Sequence, residues 1–134
     1  MISKNYILTY YQQIKDGSVT VGNWIERWYE YIVHGLEEKR FFFDQKKANT
    51  AIEWVETHCF HTEGPLAPGP FRLELWQKAM RSAIFGIVDA DGNRQFREWL
   101  LIVSRKNGKT LFAAAIMRYI WCNDGFGTRC YCVA

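Results

Sequence analysis

Proline is scarce in this chain: Pro65, Pro68 and Pro70 are the only three in 134 residues, and all fall between positions 61 and 70. That stretch cannot continue a helix, so it marks the clearest boundary in the sequence and leaves the segments on either side open to helix formation. Apolar runs approaching the ~20 residues of a membrane span are missing too, and Met1-Ile2-Ser3-Lys4-Asn5 leads into no secretory core. A soluble, intracellular chain is expected. Cys59, Cys122, Cys130 and Cys132 form no C-x₂-C pair, which argues against a zinc knuckle or disulfide framework and for reduced thiols in a cytosol. Charge of one sign is also scarce. A net +3 from 17 basic and 14 acidic residues is compatible with an anionic partner such as ATP or DNA and requires none.

What is present is apolar and aromatic: 49% hydrophobic residues and 16% aromatic ones suffice for one folded domain with a real core. Tyr6, Ile7, Tyr10, Tyr11 and Ile14 recur at helix spacing before a break at Asp16-Gly17-Ser18. Trp24, Ile25, Trp28, Tyr29, Ile32 and Val33 predict a second helix with a broad apolar face that must pack on something. Two helices around a glycine-containing turn also admit a helix-turn-helix with DNA as partner, beside the plainer reading of an aromatic core. Phe41-Phe42-Phe43 leads into Asp44, an N-cap candidate, and Ala48, Ile52, Trp54, Val55 and Cys59 predict a third helix ending near 58–60. His58, Cys59 and His61 put three metal-capable side chains within four positions, but a zinc site needs a fourth ligand or water and second-shell support that the sequence does not locate.

Beyond the prolines, Leu73, Leu75, Trp76, Ala79, Met80, Ala83 and Ile84 predict a helix closed near Gly86. Asp91-Gly92 then signals a turn before a strand that begins near Phe96 and runs to Val103. That strand, the polar loop from Ser104 and the apolar run Leu111-Phe112-Ala113-Ala114-Ala115-Ile116-Met117 have the layout of a nucleotide-phosphate cradle, with Gly108-Lys109-Thr110 at the helix entry. The match is partial, because the first glycine of G-x-x-x-x-G-K-[ST] falls on Val103. In such a loop successive backbone N–H groups face phosphate oxygens, Lys109 reaches the β/γ-phosphates, and the Thr110 hydroxyl ligates Mg²⁺. Arg105 and Lys106 add cations to the loop, and Arg105 is placed to serve the γ-phosphate as an arginine finger does. A glutamine amide such as that of Gln77 can pair with adenine N6 and N7, or simply face water from its helix. Residues 129–134 look like a further strand, giving one β-loop-α-β unit of an open parallel sheet.

Taken together, Phe41-Phe42-Phe43-Asp44, Ile52-Glu53-Trp54-Val55-Glu56, His61-Thr62-Glu63-Gly64, Leu73-Glu74-Leu75-Trp76-Gln77, Ile84-Phe85-Gly86, Arg94-Gln95-Phe96-Arg97-Glu98 and Ser104-Arg105-Lys106-Asn107-Gly108-Lys109-Thr110 resemble the large subunit of tailed-bacteriophage terminases. Those are the ATP-driven motors that package viral DNA and cut it. The resemblance covers roughly 41–134 and implies an α/β fold: an N-terminal helical arm over 1–62, then the start of a P-loop NTPase (ASCE-type) parallel sheet over 63–134, incomplete. It implies ATP and Mg²⁺ as cofactors, with Gln77 at the adenine contact. The phosphates would meet Ser104, Arg105, Lys106, Asn107, Gly108, Lys109 and Thr110, with Lys109 and Arg105 catalytic and Thr110 on the metal. For a full-length protein the resemblance implies double-stranded DNA, portal and small terminase subunit as partners, no membrane, and work in the bacterial host cytoplasm and transiently at the procapsid. The 24 residues after Thr110 hold no apolar strand ending in acidic residues, and no nuclease domain is present. An N-terminal fragment that binds nucleotide weakly and hydrolyses it negligibly is therefore expected. The reading from another class is a non-catalytic DNA- or protein-binding helical module with a vestigial phosphate loop.

Overall fold

A computed structural model describes residues 5–125, which form two compact units: residues up to 52 together with 73–99, and 53–72 together with the chain from 100 onward. The Pro-bearing stretch 61–70 lies inside the second unit.

The first unit is built on helices α1 (Tyr6–Lys15), α2 (Asn23–Glu37) and α4 (Leu75–Gly86), with the first part of α3 (Gln45–His58). Each starts or stops for a local reason. Asn5 caps α1, its Oδ1 accepting the Ile7 and Leu8 N–H groups, and Asp44 caps α3 by accepting from the Lys47 N–H at 3.0 Å. Helix α2 ends in a Schellman closure, with the Arg40 N–H on the Gly35 carbonyl at 2.9 Å and the Lys39 N–H on the Leu36 carbonyl at 3.2 Å. Lys39 takes the left-handed position there, at φ 57°, which turns the chain sharply into Phe41. The helices then bury the positions that the period selects: Ile7, Tyr10 and Ile14 of α1, Tyr29 and Ile32 of α2, Ala79 and Ala83 of α4, around Phe41 and Ile87. Arg81 of α4 is fully buried and its Nη2 donates to the Ala51 carbonyl at 3.0 Å.

Sheet structure among the described residues is limited to β1 (Phe42–Phe43) and β2 (Ile87–Val88), antiparallel, with Phe42 opposite Val88 and Phe43 opposite Ile87. The Asp91-Gly92 turn forms as expected: Asp89 Oδ1 accepts from Asp91 and Asn93 N–H, and Gln95 N–H returns to the Ile87 carbonyl. The expected parallel P-loop sheet is not found in the described residues, and the fold is α-rich. Residues 96–103 have no strand structure. The apolar run there has β character, but a strand exists only where a neighbour takes up its backbone N–H and C=O groups, and no described strand lies alongside. Leu100 and Ile102 are 87% and 84% exposed as a result. The expected strand at 129–134 lies outside the described residues. No described helix is long and apolar enough to cross a membrane.

Burial also sets an alkaline limit on this unit. Desolvation raises the Tyr29 phenol above its ordinary 10.0, and neighbouring Tyr10 adds to the shift. The two rings meet edge-on at 5.2 Å. Above pH 10 the unfolded phenol loses its proton while the folded one keeps it, so this contribution is complete below pH 10 and declines as pH rises past it. Tyr29→Phe is expected to flatten the decline by up to about 1.4 kcal/mol per pH unit. Urea midpoints of both proteins across the alkaline range measure this, and parallel declines would count against Tyr29 as the cause.

Candidate phosphate-binding loop

The second unit joins the end of α3 to α5 (Lys109–Asn123). Trp54 meets Tyr119 edge-on at 5.5 Å and stacks on His58 at 4.7 Å, while Phe112 and Ala115 turn inward from α5. Residues 59–71 fold back as a loop, with the Phe71 N–H on the Cys59 carbonyl and the His61 N–H on the Gly69 carbonyl, both 2.9 Å. The three metal-capable residues point to separate tasks: His58 Nδ1 lies 2.8 Å from the Trp54 carbonyl, Cys59 is buried, and the His61 ring stands edge-on to Phe71.

Helix α5 starts where the sequence places the end of the phosphate loop. Residues 105–108 turn and bend, and both Lys106 (φ 66°) and Gly108 (φ 67°) adopt the left-handed region. Left-handed residues at alternate positions swing successive N–H groups toward one side, the backbone of an anion nest. Gly108 is the N-cap, and no side chain caps the helix. The first N–H groups of α5 therefore lack a side-chain acceptor, and the positive end of the helix dipole is left for an anion to satisfy.

The side chains close the loop on itself. Asn107 Nδ2 donates to Ser104 Oγ at 2.5 Å and approaches the Ser104 carbonyl at 3.4 Å, while Lys109 Nζ folds back to the Val103 carbonyl at 3.2 Å. The bond from Lys109 to the carbonyl at the position of the missing first glycine spans the whole loop. Sequence reasoning did not foresee that partner. Ser104 through Thr110 all face solvent. Positions 99–123 carry Arg105, Lys106, Lys109 and Arg118 and no carboxylate. Among the described residues, none of the three loop cations has a carboxylate partner within ion-pair distance. The loop thus carries Ser104, Arg105, Lys106, Asn107, Lys109 and Thr110 facing solvent with no carboxylate among them, and Thr110 lies in the first turn of α5.

Gln77 belongs to the first unit, on α4. It is 5% exposed, and its Oε1 accepts the Glu74 N–H at 2.9 Å as half of a capping box for α4. The Glu74 carboxylate also receives the Trp76 indole N–H at 2.9 Å. The Leu-Trp-Gln segment therefore has a structural job, and its signature, an acidic N-cap with glutamine three residues on, was readable from sequence. Searches of family models, curated proteins and solved structures return no match to this chain.

Proposed function

We propose that residues 103–110 bind the phosphates of ATP, and that the chain carries the nucleotide-binding part of a phage terminase large subunit. One observation supports this above the others: Lys109 stands on the first turn of a glycine-capped helix and hooks back to Val103, encircling a loop with no carboxylate in it. A phosphate chain would replace that internal bond and accept from the free N–H groups at the same time. Bound Mg·ATP supplies the γ-phosphoryl group and the metal charge. Lys109 and Arg105 would neutralise the phosphate oxygens, and Thr110 would hold the metal. DNA, portal and small subunit remain proposals for a full-length motor.

The test is calorimetric titration with Mg·ATP, Mg·ADP, AMP and inorganic triphosphate. Affinity should climb with phosphate number, and triphosphate should compete with ATP, since the contacts are to phosphate. Turnover of Mg·ATP by the 134-residue chain should be negligible, because no acidic strand end follows Thr110 within it. AMP binding as well as ATP, or no nucleotide binding at all, would overturn the proposal.

A further inference from the structure

Asn107 is the only asparagine in the chain that precedes a glycine. That order matters chemically, because a backbone nitrogen whose residue lacks a Cβ closes on the preceding carboxamide with the least steric resistance. The structure leaves this closure open. Ser104 through Thr110 face solvent, and a Cβ built on Gly108 would meet nothing within 4 Å. The Asn107 carboxamide is tethered through Nδ2 alone, to Ser104 Oγ at 2.5 Å and to the Ser104 carbonyl at 3.4 Å. Among the described residues no hydrogen bond engages its Oδ1 or the Gly108 N–H. Asn123 shows the contrast: its Nδ2 donates to the Tyr119 carbonyl, and the Asp124 N–H that follows it is bonded to the Ile120 carbonyl at 2.9 Å.

We propose that Asn107 is a deamidation site whose product carboxylate closes the loop to phosphate. The modification stands on the loop geometry alone, while its effect on phosphate rests on the function proposed above. Hydroxide takes the Gly108 N–H proton, and the backbone nitrogen attacks Asn107 Cγ. The N–Cγ bond forms, the Cγ–Nδ2 bond breaks, and ammonia leaves with a proton from water, which restores the hydroxide. Water then opens the succinimide at either carbonyl, giving aspartate or isoaspartate, with nothing oxidised or reduced. The surrounding charge favours each anionic species. Arg105, Lys106 and Lys109 flank the reacting nitrogen in sequence, and that nitrogen belongs to the N-cap at the positive end of α5. The product would be the first carboxylate anywhere in 99–123. It would satisfy the helix end and the cations that a phosphate would otherwise meet, and it would present like charge to an incoming phosphate.

The experiment is incubation of the purified chain at mildly alkaline pH, beside a free peptide of the Ser104–Thr110 sequence, followed by peptide mapping with mass spectrometry. Exchange of amide for carboxyl should occur at Asn107 before any other asparagine, at a rate comparable with the free peptide, and should split into two products. Asn107→Gln, which would have to close a larger ring, and Gly108→Ala should both lose the mass gain over the same period. Asn107→Asp should bind Mg·ATP at least about 5-fold more weakly than wild type, the repulsion of like unit charges about 4 Å apart in water, with an unchanged melting profile. A protein that resists while the free peptide reacts, or earlier conversion at another asparagine, would overturn the site. Wild-type Mg·ATP affinity in Asn107→Asp would overturn its effect. Failure of the unmodified protein to bind nucleotide would remove that effect together with the phosphate-loop function, while the mass result would still decide the site.

Discussion

Phe41→Ala is expected to destabilise the first unit by about 3–5 kcal/mol, the range for emptying an aromatic site in a packed core. Against a typical total of about 5–15 kcal/mol, that is a large share of the unit's stability. Phe41 is 1% exposed and its ring contacts Tyr31 at 5.9 Å and Phe96 at 5.7 Å. Phe96 in turn belongs to an edge-to-face cluster with Trp28 and Trp99, with centroids 4.8 to 5.9 Å apart. Losing Phe41 therefore loosens the aromatic ring set as well as opening a cavity, and near-UV circular dichroism should fall together with the urea midpoint. The contact is tight from the other side as well. A Cβ on Gly35 would lie 2.2 Å from the Phe41 Cζ, so Gly35→Ala should cost about 1–3 kcal/mol by overpacking. Phe41→Leu should relieve part of that cost, giving a coupling of about 0.5–3 kcal/mol for a touching pair. A loss under about 1 kcal/mol in Phe41→Ala, or strict additivity of the pair, would show that this packing does not hold the unit together.

The helices were legible because their causes are local. Tyr6 to Ile14, Ala48 to Cys59 and Leu75 to Gly86 each repeat apolar residues at the helical period, and caps such as Asp44 sit where the chain shows them. Phe42-Phe43 pairing with Ile87-Val88 was not legible. Two-residue strands carry no period, and the partner lies more than forty positions away. Residues 96–103 failed in the opposite sense: local β character is explicit there, but pairing is a non-local property and no described strand supplies it. Trp24, whose side chain is 79% exposed, shows the limit of counting apolar positions, since membership in an apolar set does not settle which way the first turn of α2 faces. The loop at 104–110 was legible in part. Gly108 before Lys109-Thr110 located the helix entry correctly, while the Lys109 to Val103 closure depends on the left-handed backbone of Lys106 and Gly108, which no residue count gives.

That closure makes Lys109→Ala the sharpest probe of the loop. If the loop holds ATP, Lys109 provides a charge-assisted bond to phosphate worth about 1.5–3 kcal/mol, so the variant should lose about 10- to 150-fold in Mg·ATP affinity. AMP affinity should not change, since the ammonium belongs to the outer phosphates. Stability should stay within about 0.5 kcal/mol, because the side chain is exposed and gives up a single bond to a backbone carbonyl. Arg105→Ala separates the phosphates further: a cation serving the γ-phosphate weakens ATP more than ADP, whereas one on the rim weakens both alike. Gly108→Ala tests the backbone rather than the charge. Its Cβ would meet nothing within 4 Å, yet at φ 67° it would cost about 1 kcal/mol of strain. Affinity should therefore fall where the loop relaxes out of the nest, with every cation still in place. Unchanged ATP binding in Lys109→Ala, measured on protein with a wild-type melting profile, would remove the loop from any role in holding nucleotide.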